Sequence, residues 1–361
     1  MNFTFINNSP TPVGEWIAHQ ICQIFVYHGH HLCHDTENIK FVLNLTDAEY
    51  PKFFRRKSKA VFVISLIVVN GKAQNIRALS YQTLIRSLSN LLLCVNLKNG
   101  KPEIYFTTPE AGFYHIPFES EAVYKQIIPI ASAHFAIDNH ISTDLPKPYW
   151  KSTAVVDKIK HYGRELDRLG VLPAPFPLRD VLRNEDIEQL YRLFKVKGIS
   201  YGNLSARENM PEYPNTNTFW MTARGIDKSN ITTIGKDVLL VTGIDKKTEV
   251  MCISIPPQHD PRARVSVDAV EHELIYRTFP EVAAIVHVHA WMKNVLCTQQ
   301  NYPCGTRELA QEVVHMLKQT ENPSQTAVGL KNHGLTITGI SLDDIFNRLR
   351  GKLITEVAMF A

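Results

Sequence analysis

The stretch Ala283-Ala284-Ile285-Val286-His287-Val288-His289-Ala290 decides how the C-terminal half of this chain is read. Four apolar residues lead into a His-x-His pair. A run rich in β-branched residues, following the break at Phe279-Pro280, predicts a short buried strand. Residues i and i+2 of a strand share a face, so His287 and His289 point the same way, roughly 7 Å apart at the Cα atoms. Two neutral imidazoles converging at a strand end supply half of a transition-metal site. The alternative is a pair of histidines hydrogen-bonded within a core.

Working outward, Leu330-Lys331-Asn332-His333-Gly334-Leu335-Thr336-Ile337-Thr338-Gly339 sets a third histidine between two strand-like runs. Gly334 removes a side chain where the backbone must pass close to something or turn. Three histidines on two adjacent strand ends, with room left for a substrate, form an open catalytic arrangement rather than a closed structural one. Upstream, Ser200-Tyr201-Gly202-Asn203-Leu204-Ser205 follows an amphipathic helix, and its small residues free backbone N–H groups to hold an anion.

With Thr222-Ala223-Arg224-Gly225 and Ser266-Val267-Asp268, these segments make five motifs in a fixed order. From about Asp186 to the C-terminus the chain resembles the class II aldolase/adducin family, which includes fuculose- and rhamnulose-phosphate aldolases and ribulose-phosphate 4-epimerase. The resemblance implies a three-layer α/β domain over residues 179–361 with a mainly antiparallel central sheet. It implies His287, His289 and His333 as metal ligands, with zinc as the metal and another divalent transition metal as the alternative. It also implies a lyase that cleaves a small hydroxy-keto substrate, sugar- or sugar-phosphate-like, through a zinc-stabilised enediolate. An epimerase or dehydratase on a related substrate is the alternative within enzymes. The competing class is a non-catalytic assembly module, as in adducin, whose aldolase-like domain lacks the metal histidines.

Asp268 falls at the position of the family's acidic residue. It is expected as the catalytic acid/base or, being a methylene shorter than glutamate, as a fourth ligand. The remaining option is an exposed acid or an N-cap of the helix that follows. Asn203, Arg224, Gly225 and Ser266 match the substrate-binding pattern. Arg224 stands where relatives carry a small hydroxyl residue, and Val267 replaces a second serine. A guanidinium there grips a carboxylate, or a phosphate held differently, or it is a surface charge in a turn. The segment from His289 to Gly305 is shorter than in the relatives, which carry there the groups that protonate the far carbon, so Tyr302 is the nearest replacement acid. In the family resembled the site lies in a cleft between neighbouring subunits. The short segment leaves this chain's own site incompletely covered, so the resemblance implies a homo-oligomer, with a tetramer expected.

Composition sets outer bounds. The 361 residues suit two domains, and 44% hydrophobic with 20% charged residues describes a globular chain. A net charge of +4 argues against a nucleic-acid partner. Six scattered cysteines fit reduced thiols. No apolar run reaches membrane-span length and the N-terminus carries no signal-peptide pattern, so a soluble, cytoplasmic protein acting on a small molecule is expected.

Residues 1–150 read as a separate α+β domain of unknown role. Glu15 to Val26 is an amphipathic helix, with Trp16, Ile17, Ile21, Ile24 and Phe25 on its apolar side. His28, His30, His31 and His34 form a polar turn or, alternatively, a metal site. Phe41–Leu45 and Ala60–Val69 read as buried strands, joined through a basic run, Arg55-Arg56-Lys57-Ser58-Lys59. Thr83 to Cys94 has helical spacing, Glu103 to Thr107 is strand-like, and a turn covers Pro109 to Gly112. Residues 151–178 form a connecting helix (Val155 to Leu169, ended by Gly170) and a proline-rich linker. Glu185 to Lys197 is the helix that opens the aldolase-like domain.

Overall fold

The computed structural model describes residues 1–56, 61–69, 75–98, 100–109, 113–132, 139–172, 178–194, 200–214, 217–245, 247–248, 250–259 and 263–358. Parts of five sequence expectations lie outside them: the end of the basic run (57–59), the first residue of the strand expected over Ala60–Val69, the turn at 110–112, the linker at 173–177 and the end of the helix expected to reach Lys197.

In chain order the elements are β1 (Asn2–Asn7), α1 (Pro12–Tyr27), β2 (His31–Leu32), β3 (Phe41–Leu45), β4 (Phe62–Val69), α2 (Ile76–Arg86), β5 (Leu91–Lys98), β6 (Lys101–Thr107), β7 (Phe113–Pro117) and α3 (Ser120–Ser132). There follow β8 (Asn139–Ser142), α4 (Ala154–Arg168), α5 (Asn184–Phe194), β9 (Asn203–Arg207), β10 (Phe219–Thr222), β11 (Val238–Ile244), β12 (Met251–Ser254) and α6 (Ala269–Thr278). The last are β13 (Ala284–Val288), β14 (Leu296–Cys297), α7 (Arg307–Lys318), β15 (Ala327–Leu330), β16 (Gly334–Gly339) and α8 (Leu342–Leu349).

The chain divides into two compact units. Met1–Ser132 and Pro177–Leu193 belong to the first, Ala133–Phe176 and Phe194–Ala358 to the second. The boundary expected at residue 150 therefore falls earlier, because β8 pairs in parallel with β12 in the second unit's sheet. The helix expected to connect two domains, α4, packs Val156, Ile159 and Leu166 into the second unit's core. Conversely α5 groups with the first unit. Arg86 Nε and Nη2 donate to the two carboxylate oxygens of Asp186 at 2.8 and 2.7 Å, a bidentate clasp on a buried acid.

The first unit's sheet has the order β2-β1-β3-β4-β5-β6-β7. All pairings from β2 through β5 are parallel, and only β5–β6 and β6–β7 are antiparallel. The α+β expectation is thus corrected to a mostly parallel sheet with helical crossovers. The signal was in β3 and β4, whose near-continuous burial is that of strands covered on both faces. A second correction concerns Thr83 to Cys94. The helix ends at Arg86, Leu88 takes a left-handed φ of 53°, and Leu91 and Leu92 lie on β5. The histidine patch is held by neighbours. His28 Nε2 lies 2.9 Å from Glu121 and its ring stacks on Tyr124, while His30 bridges the Met1 amine and the Tyr124 hydroxyl. Among the described residues these histidines form no group able to hold a metal ion.

The second unit's sheet is nine-stranded, in the order β14-β15-β16-β13-β9-β10-β11-β12-β8. Its interior pairings are antiparallel; only the outermost pairs, β14–β15 and β12–β8, are parallel. Side chains alternate between two cores. Phe219 and Met221 of β10 and Ile285 of β13 pack with α6 and α7 on one face. Trp220, together with Ala284, Val286 and Val288 of β13, packs with α4 and α8 on the other. The period of two carries His287 to the face of Ile285, the side on which α6 lies. No helix among the described residues is long and apolar enough to cross a membrane.

Candidate active site

Three elements of the second unit deliver the site. β13 presents His287 and ends one residue before His289. β15 and β16 form a hairpin whose loop, Lys331–His333, is closed by the His333 N–H donating to Leu330 O at 3.0 Å. Asn332 takes the left-handed φ of 58° that this short loop needs. The antiparallel register sets Val288 opposite Leu335, which carries His333 to the end of β13 beside His289. The ring centroids of His287–His289, His287–His333 and His289–His333 lie 5.2, 5.2 and 4.6 Å apart. One ring nitrogen from each falls within 4.8 Å of the others, and all three residues are buried.

The donor chemistry suits a divalent transition metal. His287 Nδ1 donates to Leu335 O at 3.0 Å; a carbonyl can only accept, so the proton sits on Nδ1 and the lone pair on Nε2. His287 Nε2 and His289 Nδ1 are buried without a hydrogen-bond partner. Burial pushes both imidazoles below their ordinary pKa, and His333 down to about 3, so all three imidazoles are neutral near pH 7. The Tyr201 ring lies against His289 with centroids 5.0 Å apart.

The fourth element is the start of α6. Asp268 occupies the N-cap position, but its side chain makes no capping bond, and it is 5% exposed rather than on the surface. Its Oδ2 accepts from Asn203 Nδ2 at 2.7 Å, and its Oδ1 is buried without a partner. Burial alone raises this carboxyl's pKa; the neighbouring His287, His333 and His272 and the Cys304 thiol outweigh it and hold the group low. Asn203 also donates to Ser266 Oγ at 3.2 Å, so Asn203, Ser266 and Asp268 are brought together. Asn203 pairs with His287 in the sheet, which ties this trio to the strand that carries His287.

Arg224 and Gly225 stand at the turn after β10. The Arg224 N–H donates to Arg264 O at 2.8 Å and Gly225 takes a φ of 70°, so the turn runs beside the Arg264–Ser266 segment. The Arg224 side chain is exposed. Tyr302 packs against the α7-side core, with Glu312 and Glu308 among the groups that raise its phenol after burial. What lies against the histidines from that segment is Cys304, whose Sγ is 3.1 Å from His333 Nε2.

Sequence reading missed four groups. Glu271 and His272 follow Asp268 by three and four residues, the spacing that stacks side chains on one helical face, and that signal was available. Glu271 accepts from Thr336 Oγ1 at 2.5 Å; burial, then the Asp268 charge, pushes its pKa up to about 8. His272 Nδ1 bonds Ser205 Oγ at 2.7 Å, and burial takes its pKa down to about 3. Lys228 is buried and donates to Ser200 O at 2.6 Å, and burial lowers it to about 8. Nothing in the local sequence marks Lys228 or Cys304.

Residues 186–351 match the family described as "Class II Aldolase and Adducin N-terminal domain". Among solved structures, the chain is similar to an L-fuculose 1-phosphate aldolase at 18% identity and a TM-score of 0.36, over 55% of this chain and 81% of that one. It is similar to YgbL from Escherichia coli at 16% identity and a TM-score of 0.33, over 54% and 82%. An aldolase II superfamily protein from Pseudomonas syringae matches at 18% identity and a TM-score of 0.30, over 48% and 75%. No curated protein matches the sequence. Residues 186–351, carrying the three histidines and Asp268, are a domain of the class II aldolase/adducin family.

Proposed function

We propose that the second unit is a metal-dependent lyase of the aldolase type, acting on a small hydroxy-keto compound. The observation that carries this reading is the convergence of unpartnered, buried donors: His287 Nε2, His289 Nδ1 and Asp268 Oδ1, with His333 beside them. Burying such groups unpaired is costly, and a bound ligand removes the cost. A divalent ion held by His287, His289 and His333, zinc by the preference of imidazole sites, supplies Lewis-acid polarisation of a substrate carbonyl.

The chain's own residues do the rest. Asp268, ionised and pinned through Oδ2 by Asn203, keeps Oδ1 free to take or return a proton at the reacting carbon's hydroxyl. Glu271, which holds its proton to about pH 8, spares Asp268 a second negative charge at the same helix start. The His287 bond to Leu335 O keeps one tautomer, with the lone pair facing the site. Asn203, Ser266, Gly225 and Arg224 form the substrate-binding side, where an anionic tail, carboxylate or phosphate, meets the turn. An epimerase or dehydratase uses the same groups with a different fate for the proton. The adducin-like module uses none of them.

The test is metal analysis of the purified full chain, followed by a turnover screen with sugar phosphates and short keto acids. The expected result is about one divalent ion per chain, lost in His287→Ala. A chain that neither retains nor takes up a transition metal overturns the proposal and leaves the module reading. The active form is proposed to be a homo-oligomer, a tetramer, as the family resemblance implies. Light scattering that finds only a 41.1 kDa species counts against it.

A further inference from the structure

Cys304 lies in the segment Tyr302-Pro303-Cys304-Gly305-Thr306 leading into α7. That segment is tightly held. Thr306 caps the helix by accepting from Leu309 N, its hydroxyl donates to Pro303 O at 2.7 Å, and Gly305 turns the chain with a φ of 77°. The turn sets Cys304 Sγ 3.1 Å from His333 Nε2. The same sulfur belongs to a second close set, Asp268, His287 and Cys304, whose ligand atoms lie within 4.8 Å of one another. His287 is common to this set and to the three histidines. Asp268 Oδ1 and His287 Nε2, on two members of this set, are both buried and unpartnered. Two donors on one ion, at zinc–nitrogen and zinc–sulfur lengths, sit no more than about 4.4 Å apart, and the sulfur–His333 separation meets that limit.

We propose that Cys304 is a fourth protein ligand of the substrate-free metal centre, bound as a thiolate. On binding, the S–H bond breaks, a metal–sulfur bond forms, and the proton leaves to solvent. Sulfur in the ligand set selects a borderline or soft cation, zinc or cobalt, over magnesium or calcium. This inference rests on the three-histidine metal reading above, and its test separates the two.

The full chain is freed of metal and loaded with Co2+, and its absorption spectrum is recorded. The expected result is visible ligand-field bands together with a near-ultraviolet sulfur-to-cobalt charge-transfer band, the latter lost in Cys304→Ser while cobalt stays bound. Ligand-field bands with no charge-transfer band overturn the thiolate ligand and leave the histidine site standing. Failure to bind cobalt or zinc overturns both. A charge-transfer band that survives in Cys304→Ser overturns the assignment to this cysteine. Should that variant not fold, the wild-type chain still decides. Alkylation mapped by peptide mass should spare Cys304 with zinc bound and modify it after chelation; equal modification in both states overturns the proposal.

Discussion

The two sheets treat buried polarity in opposite ways. In the mostly parallel sheet of the first unit, Asn44 Nδ2 donates to Lys52 O and Ser65 Oγ, and Asn44 Oδ1 accepts from Asn8. Ser65 then bonds Ser89 at 2.7 Å, Ser89 bonds Ser87 at 2.8 Å, and Ser87 donates to Thr83 O. Each polar group along this chain finds its partner within the unit. The first unit's described orphans, on Ser80, Thr107, Tyr114 and Gln126, are hydroxyls and an amide, neutral near pH 7. In the second unit a carboxylate oxygen and two imidazole nitrogens lie buried and unanswered within one small space. A network whose partners are all internal holds a fold together; a convergence of ionisable orphans marks the place for a ligand.

The largest effect that tests this contrast belongs to Asp268. As acid/base, Asp268→Asn should lower turnover by roughly two to four orders of magnitude with metal content unchanged. As a ligand, the same change should also weaken metal retention. Metal content and turnover measured on one preparation distinguish these roles, and full values of both would leave Asp268 no part in the chemistry.

Next in size is the pH dependence of stability in the metal-free chain. His272, His287, His289 and His333 have folded pKa values below their ordinary 6.5, chiefly by burial. Below pH 6.5 the unfolded chain therefore binds more protons than the folded one, and stability falls on acidification. Glu271 acts with the opposite sign. Its folded pKa of about 8 lies above the ordinary 4.5, so stability is lost as pH rises toward 8. The four imidazoles outweigh the single acid below 6.5, and the acid acts alone between 6.5 and 8. Denaturant midpoints should peak near pH 6.5, and Glu271→Gln should flatten the upper arm and steepen the lower one above about pH 4.5, where Glu271 opposes the imidazoles. An upper arm unchanged in that variant would show that Glu271 is not the group responsible.

The smallest effect belongs to the first unit's network. Asn44→Ala leaves Ser65 and the Lys52 carbonyl short of a donor and should cost about 1–3 kcal/mol of stability while metal content stays the same. Chemical denaturation beside metal analysis checks it. A loss of metal in Asn44→Ala would break the distinction between the two sheets.

Much of the second unit was legible because its signals are periodic. Alternation along Ala283–Ala290 placed β13, and the motif order picked out the segments whose His333, Asn203, Ser266 and Asp268 gather near it. Cys304 could not be read. Its approach to His333 depends on how the segment before α7 folds back, a tertiary fact with no local spacing. Lys228 was hidden for the same reason. In the first unit, Leu88 to Leu92 misled because leucines at helical spacing also fit a turn followed by a strand. The seven-stranded order there rests on pairings between distant segments, which no window of sequence contains.

Two residues without side chains grip the ligand strand from either side. A methyl group added at Gly202, whose φ is +77°, would lie 2.4 Å from His287 O, and one at Gly334 would lie 2.2 Å from Val288 O. The imidazoles are therefore aimed by the thickness of the neighbouring backbones. A single carbon atom at either position must displace the main chain that carries His287 and His289. The tolerance of the centre to mutation is thus set by two positions that a scan for reactive groups would pass over.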